Sequence, residues 1–305
     1  IGTNSGGLNA LDPQSGRITR YLHDPAAPGS ISSNTLRTLY EDSQGRLWVG
    51  HYLGGGLDLL DRRSGVFSPV RYQPGVANSL NDDHLLAVLE DRSGILWFGT
   101  HVGGLNKYDA KQSRFRHYHH QWWNENSLSQ DTVRAFYRHG RTLYIGTEGG
   151  LNALNLDTGD FVHYVHDPAD PQGIPHNIVR AMDMDAQGYL WLATHGGLSR
   201  FDPETQTFTN YHHQPDNPAS LSNDVIWRVL VDSRGYVWAG ARDALNSFDM
   251  QTGEFTRYVH NPDDPRSIPG DRISALHEDR AGHIWFSTMT TGVSRLNVDT
   301  GDLIS

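Results

Sequence analysis

The chain has 305 residues, a formal net charge of −10 and no cysteine. Disulfides and thiolate metal sites are therefore excluded. A nucleic-acid groove is not expected either, because it needs clustered Lys and Arg to release counterions. No apolar run has the length of a bilayer-crossing helix, and the 32 Gly, 8 Trp and 13 Tyr suit many short strands joined by tight turns.

The chain opens on Ile1-Gly2-Thr3, which matches the residues just after a recurrent aromatic, as in Trp97-Phe98-Gly99-Thr100. That aromatic then recurs as Trp48, Trp97, Tyr144, Trp191, Trp238 and Trp285, at spacings of 49, 47, 47, 47 and 47 residues. Each copy begins with a short apolar run, such as Leu36 to Tyr40, Val179 to Met182 or Ile273 to Leu276. A polar turn with Gly follows, as in Glu90-Asp91-Arg92-Ser93-Gly94. Then come the aromatic segment ending in Gly-Thr, a Gly-Gly-Leu segment ending in Asp, and a Gly-x-Phe-x-x-Tyr segment. Shortness and enrichment in β-branched and aromatic residues predict four strands per copy, with hairpin chemistry between them. A longer polar loop, such as His166-Asp167-Pro168-Ala169-Asp170-Pro171, then carries the chain from the outer rim of one sheet to the inner edge of the next.

Four-stranded units of this size repeated around a channel predict an all-β fold. The expectation is a seven-bladed β-propeller of four-stranded antiparallel blades, six complete and one partial. It forms a single domain over 1–305, with a partial blade at 1–30 and repeats at 31–78, 79–126, 127–173, 174–220, 221–267 and 268–305. The first two strands of the partial blade are expected in a part of the chain not included here, upstream or beyond Ser305.

Columns that repeat meet a demand every blade shares. The aromatic column is assigned to packing between blades. The pairs Gly6-Gly7, Gly103-Gly104, Gly149-Gly150 and Gly196-Gly197 are assigned to turn geometry, since no helix start or Lys follows them as a phosphate cradle requires. Asp183-Met184-Asp185-Ala186-Gln187-Gly188 lacks the ligand series of a calcium loop. His23, His120, His166, His213 and His260 fall in one column spread around a rim, which suits loop hydrogen bonding and not a shared metal. Asn34, Asp83, Asp131, Asn177, Asp224 and Asp271 start the inner strands and are expected to cap the crossing loops.

Two columns vary between otherwise matching neighbours. One holds Asn4, Tyr52, His101, Glu148, His195, Arg242 and Met289, in the loop between second and third strands. The other holds Arg37, Leu86, Arg134, Arg180, Trp227 and Ser274, at the start of the inner strands. Both are expected to converge on one end of the channel, with Tyr52, His101, Glu148, His195, Arg242, Arg37, Arg134, Arg180 and Trp227 as the ligand-binding set. Polar, cationic and aromatic groups in a concave mouth suit a polar ligand. Arg can clamp a carboxylate or sulfate, and Trp122, Trp123 and Trp227 can stack on sugar rings or aromatic groups. No catalytic residue, metal or cofactor is assigned.

The wording of the repeat carries a resemblance. Ser220-Leu221-Ser222-Asn223-Asp224-Val225 leads into Asp232-Ser233-Arg234-Gly235-Tyr236-Val237-Trp238, and Gly99-Thr100-His101-Val102-Gly103-Gly104-Leu105-Asn106 occurs in another copy. This resembles the two-component regulator propeller repeat over essentially the whole chain. The resemblance implies the periplasmic sensor portion of a bacterial inner-membrane receptor. Such receptors usually carry two seven-bladed propellers, an immunoglobulin-like domain, a membrane helix, and a histidine kinase, hybrid kinase or diguanylate cyclase output. None of those partner domains is in this chain.

There are departures. One turn reads Arg138-His139-Gly140 where other copies have Glu-Asp, its aromatic is Tyr144, and the loop before it holds Trp122 and Trp123 in place of Asp-Pro. Another copy reads Ala241-Arg242-Asp243-Ala244 where Thr and Gly-Gly are expected.

The expected activity is binding of a small molecule or oligosaccharide without turnover, with homodimerisation through the parent receptor as a further expectation. Two alternatives stand beside it. Gly282-His283-Ile284-Trp285-Phe286-Ser287-Thr288 is similar to streptogramin lyase repeats, and a lyase would need a base, His101 or His195, facing an acid such as Glu148. The Trp122-Trp123 pair fits a scaffold for another protein or for a second copy.

Overall fold

Each repeat folds into four strands because its four runs meet different amounts of water. The second run is the most buried, the first and third are partly buried, and the fourth is mostly exposed or half-buried, as the sheet edge demands. The computed structural model describes residues 1–12, 15–109, 114–264 and 266–304.

The chain divides into two compact units, Ile1–Glu148 with Asn152–Val162, and Gly149–Leu151 with His163–Ser305. The first unit opens on β1 (Leu8–Leu11) and β2 (Ile18–Tyr21), a two-stranded sheet. Two four-stranded sheets follow: β3 (Leu36–Glu41), β4 (Leu47–His51), β5 (Leu57–Asp61) and β6 (Val66–Val70), then β7 (Leu85–Glu90), β8 (Ile95–Thr100), β9 (Leu105–Asp109) and β10 (Arg114–Tyr118). The division between units runs through the next sheet, made of β11 (Val133–His139), β12 (Thr142–Thr147), β13 (Gly150–Asn155) and β14 (Phe161–Tyr164). The second unit contains β15 (Val179–Met184), β16 (Leu190–Thr194), β17 (Gly197–Asp202) and β18 (Thr207–Tyr211). Its next sheet has β19 (Ile226–Val231), β20 (Tyr236–Ala241), β21 (Ala244–Asp249) and β22 (Glu254–Val259). Its last has β23 (Ile273–Glu278), β24 (Ile284–Thr288), β25 (Val293–Leu296) and β26 (Leu303–Ile304).

Every four-stranded sheet keeps its strands in chain order, and the inner strands of successive sheets touch: β3 with β7 and β7 with β11 in the first unit, β15 with β19 and β19 with β23 in the second. The fold is thus an all-β propeller with four-stranded antiparallel blades, six of them among the described residues. No helix of the described residues is long and apolar enough to cross a membrane.

Blades approach closely where the second strand ends in glycine. A Cβ on Gly50 would stand 2.4 Å from Thr38 Cγ2 and 3.0 Å from Leu85 Cβ of the next blade, and one on Gly240 would stand 2.9 Å from Ile273 Cβ. The recurrent indoles fill the space alongside: Trp48, Trp97, Trp191 and Trp238 are buried, each contributing on the order of 2–3 kcal/mol.

An aspartate in the preceding turn holds each indole. Trp48 Nε1–H donates to Asp42 at 2.8 Å, Trp97 to Asp91 at 3.0 Å, Trp191 to Asp185 at 2.8 Å, Trp238 to Asp232 at 3.0 Å and Trp285 to Asp279 at 2.7 Å. The other carboxylate oxygen of Asp185 accepts the turn N–H groups of Gln187 and Tyr189, so both its oxygens are occupied by the fold. The departure at Arg138-His139-Gly140 follows from this device: Tyr144 has no indole N–H to satisfy, and the turn dispenses with the acceptor. Arg138 instead reaches Asp91 of the preceding blade, 3.5 Å away.

The predicted loop bonds are present. His23, His120, His166, His213 and His260 each pair Nδ1 with a carbonyl across the crossing loop, at 2.7–2.9 Å. Asn34, Asp131, Asn177 and Asp224 accept the backbone N–H of the first four of these histidines.

One blade differs in its interior. His51 and Asp58 occupy positions held by Thr100 and Asn106 in the next blade and by Thr147 and Asn152 in the one after. Both are fully buried; His51 Nε2 lies 2.8 Å from Asp58 Oδ2, and Ser32 bonds the carboxylate through its N–H and its hydroxyl. Removing one member of a buried pair leaves the other stranded, which costs about 3–5 kcal/mol. His51→Thr alone should therefore destabilise by about 3 kcal/mol. The double variant His51→Thr/Asp58→Asn should recover at least half of that loss. Urea denaturation of the four proteins as a cycle measures the coupling, and strictly additive losses would contradict it.

Candidate functional site

The register between first and second strands slips once in every four-stranded blade, and always at the same place. Leu36 faces His51 and Thr38 faces Gly50, so Arg37 has no partner in the ladder. The same skip omits Leu86, Arg134, Arg180, Trp227 and Ser274. These six are the variable column at the start of the inner strands. A β-bulge frees one residue from pairing and re-aims its side chain, so each blade projects one side chain without ladder constraint.

The second variable column is tied to the first by backbone. Tyr52 N–H donates to Thr35 O at 3.3 Å, His101 to His84 O at 3.0 Å, Glu148 to Thr132 O at 3.2 Å and Arg242 to Val225 O at 3.1 Å. Loop residue and bulge residue of one blade are thereby held side by side.

In the first unit this yields a connected group. The Arg37 guanidinium lies 5.9 Å from the centroid of the Tyr52 ring, over its face. The Tyr52 and His101 rings meet edge-on at 6.2 Å. Arg134 donates from Nε to Glu148 Oε1 at 2.9 Å, and its Nη2 joins the same oxygen. Loss of surrounding solvent, and then repulsion from Arg134, lower the Arg37 pKa from its ordinary value. The five predicted residues of this unit are therefore brought together. Glu148 is thus bonded to Arg134.

In the second unit Arg180 Nε–H donates to His195 Nε2, which makes Nδ1 the protonated nitrogen of that imidazole. Arg180 also lies 5.9 Å from the Trp227 ring centroid. His176, which sequence reading passed over, sits 5.7 Å from His195 ring to ring and accepts the Ile178 N–H on Nδ1 at 2.9 Å. Burial, with His166 nearby, lowers its pKa below 6.5. Arg242 is exposed, and no side-chain contact joins it to this group among the described residues.

A further residue escaped the sequence in the first unit. Asp82 Oδ1 pairs with His84 Nδ1 at 2.7 Å, while its other oxygen takes the Val102 N–H at 3.0 Å. The carboxylate orients a half-exposed imidazole, 6.4 Å from His101 ring to ring. The spacing Asp82-Asp83-His84 was the available signal. It was masked because the column otherwise holds residues that cap a turn, such as Ser33 and Asn223.

Trp122 and Trp123 lie on a crossing loop, 83% and 67% exposed, with their rings at 5.4 Å and 87°. Their loop makes the backbone bonds that its counterparts make: Gln121 N–H to Ser127 Oγ matches Gln214 N–H to Ser220 Oγ. The other copies build this turn with Pro, so the indoles are not needed for it. A separate cavity of about 290 Å³ in the second unit is lined by His260, Pro269, Gly270, Asp271, Arg272, Thr290 and Thr291, none of them in the predicted set.

Comparisons with known proteins follow the same columns. The two component regulator propeller model matches residues 30–52, 79–101, 173–196 and 267–290, each time from the end of a crossing loop through the bulge to the variable loop. No curated protein matches the chain. Among solved structures, the extracellular domain assigned to a hybrid two component system of B. thetaiotaomicron superposes with a TM-score of 0.78 and 22% identity, covering 96% of this chain and 40% of that one. The extracellular domain assigned to a one component system of the same organism gives 0.59 and 18%, covering 99% and 44%. Virginiamycin B lyase from Staphylococcus aureus gives 0.65 and 11%, covering 88% and 83%. At these identities the likeness is one of fold. The chain spans less than half the length of the two extracellular domains. In the four segments that match it, in step with columns that recur along the chain, the protein carries two component regulator propeller repeats.

Proposed function

We propose that this chain is the sensor propeller of a periplasmic receptor portion, binding a polar small molecule or oligosaccharide at its bulge and loop residues and releasing it unchanged. The observation that carries this reading is the bulge repeated in all six blades, which varies one projecting side chain while the residue before it stays aliphatic. The folds of the two extracellular domains support it, and the unmatched remainder of those domains leaves room for further extracellular parts of a longer receptor. The two-stranded sheet is read as the third and fourth strands of a seventh blade. Thr3 bonds Gly7 O through both N–H and hydroxyl, as Thr100 bonds Gly104 O, and Gly7 N–H reaches Asn34 O as Gly104 N–H reaches Asp131 O.

A thermal-shift screen of the purified chain against oligosaccharides, small acids and amino acids, with product analysis on every hit, tests the reading. Stabilisation without product is the expected result. The half-exposed His84 imidazole, held through Nδ1 by Asp82, favours a lyase as the second reading. New product that disappears in His84→Ala would establish it and overturn the sensor.

A further inference from the structure

We infer that Arg37 is an anion clamp, so that the molecule taken by the first unit presents a carboxylate or sulfate to this guanidinium. The inference rests on the sensor reading and names the ligand chemistry of the same site.

Three of the bulge residues are arginines, and two of them are engaged. Arg134 is paired with Glu148, and Arg180 is bonded to His195. Arg37 differs. Among the described residues its contact is the face of the Tyr52 ring, and no carboxylate lies within ion-pairing distance. A shortage of acids does not explain this, since the chain carries 35 Asp and Glu against 25 Lys and Arg. Elsewhere arginines find them readily: Arg46 with Asp42, Arg62 with Glu41, Arg141 with Asp157.

What surrounds Arg37 is of the wrong sign for a structural role. Its charged neighbour is Arg134, and the one carboxylate there, Glu148, is already taken by that arginine. On the Tyr52 side stand His101 and then His84, and Asp82 beyond them is committed to His84 and to the Val102 N–H. Desolvation is the main cause of the depressed Arg37 pKa, and repulsion from Arg134 adds to it. Contact with a ring engages the charge of the guanidinium and leaves its N–H edge available, and that edge matches a carboxylate or sulfate with two parallel bonds.

The test uses the purified chain, Arg37→Gln, Arg37→Lys, and Arg116→Gln on an outer strand as control. The probes are sodium sulfate at ionic strength matched with sodium chloride, and a uronic acid disaccharide with its methyl ester. Affinity is read by calorimetry and melting temperature without ligand by circular dichroism. The expected result is saturable sulfate binding, competition by the disaccharide acid and none by its ester. Affinity should weaken at least tenfold in Arg37→Gln, less in Arg37→Lys, and not at all in Arg116→Gln. The melting temperature of ligand-free Arg37→Gln should be unchanged or raised, because a like-charge contact is relieved.

Absence of saturable sulfate binding to the wild-type chain would overturn the clamp, as would equal affinity in Arg37→Gln. A neutral oligosaccharide bound alike by wild type and Arg37→Gln would refute the clamp while leaving the sensor reading intact. Turnover of a probe would refute the sensor and leave Arg37 as a substrate contact.

Discussion

Gly104→Ala should destabilise the protein by at least about 3 kcal/mol, whereas Gly94→Ala, at the same backbone angle, should cost about 1 kcal/mol. Both residues have φ of 78°, a region where any L side chain is strained. Their surroundings differ. A Cβ on Gly94 would meet only the end of the Glu90 side chain, 3.7 Å away. A Cβ on Gly104 would stand 2.3 Å from the Tyr118 carbonyl oxygen, a backbone atom of the neighbouring strand. Nor can the loop move aside: Gly104 N–H is bonded to Asp131 O, and its carbonyl accepts both the N–H and the hydroxyl of Thr100. Overpacking of this kind adds about 1–3 kcal/mol to the strain. Chemical denaturation of the two variants gives the comparison directly. Equal losses would mean that the Gly-Gly column answers to turn geometry alone, and not to the passage of one strand against another.

Asp42→Ala should cost about 3–4 kcal/mol and should also flatten the acid limb of the stability profile. Asp42 is buried and accepts from the Gln44 and Arg46 N–H groups, the Arg46 guanidinium and the Trp48 indole. The alanine variant strands that indole N–H in a buried position and opens a turn, whereas Asp42→Asn keeps an acceptor and should lose less. Burial alone would raise the pKa of Asp42. The bonds from Trp48 and Arg46 together outweigh it and hold the pKa below 3.8. A group depressed in the folded state contributes stability that is fully present above its unfolded pKa and is lost as pH falls through the folded value. Asp279 is shifted in the same direction, with burial again opposed by bonds from Trp285 and His283. Wild-type stability should therefore decline below about pH 4, and the decline should be shallower in the alanine variant. An identical slope in both proteins would show that Asp42 does not carry the acid sensitivity assigned to it.

The strands, their order within a blade and the role of the aromatic column were legible because each position is sampled six times in one chain, and a demand shared by all blades leaves the same residue in each. The bulge was not legible. It is a slip of backbone register, and the skipped residue is free in type, so Arg37, Leu86, Arg134, Trp227 and Ser274 carry no common mark. The aliphatic residue before it, such as Leu36, and the glycine on the facing strand, such as Gly50, gave the columns away but not their geometry. Side-chain pairing was equally hidden. Neither the choice of Glu148 by Arg134 nor the capture of His84 by Asp82 follows from spacing, since both depend on distances that only the folded loop defines. The loss of Asp before Tyr144 stood in the sequence only as a departure from the repeat, and in structure it is a donor and its acceptor omitted together.

The skipped residue has a consequence for how such a protein can diversify. A position released from the hydrogen-bonded ladder can change its side chain without breaking the pairing of the strands around it. Each blade thus offers one replaceable position set between intolerant flanks, and recognition can be rewritten one petal at a time while the body of the protein stays unaltered.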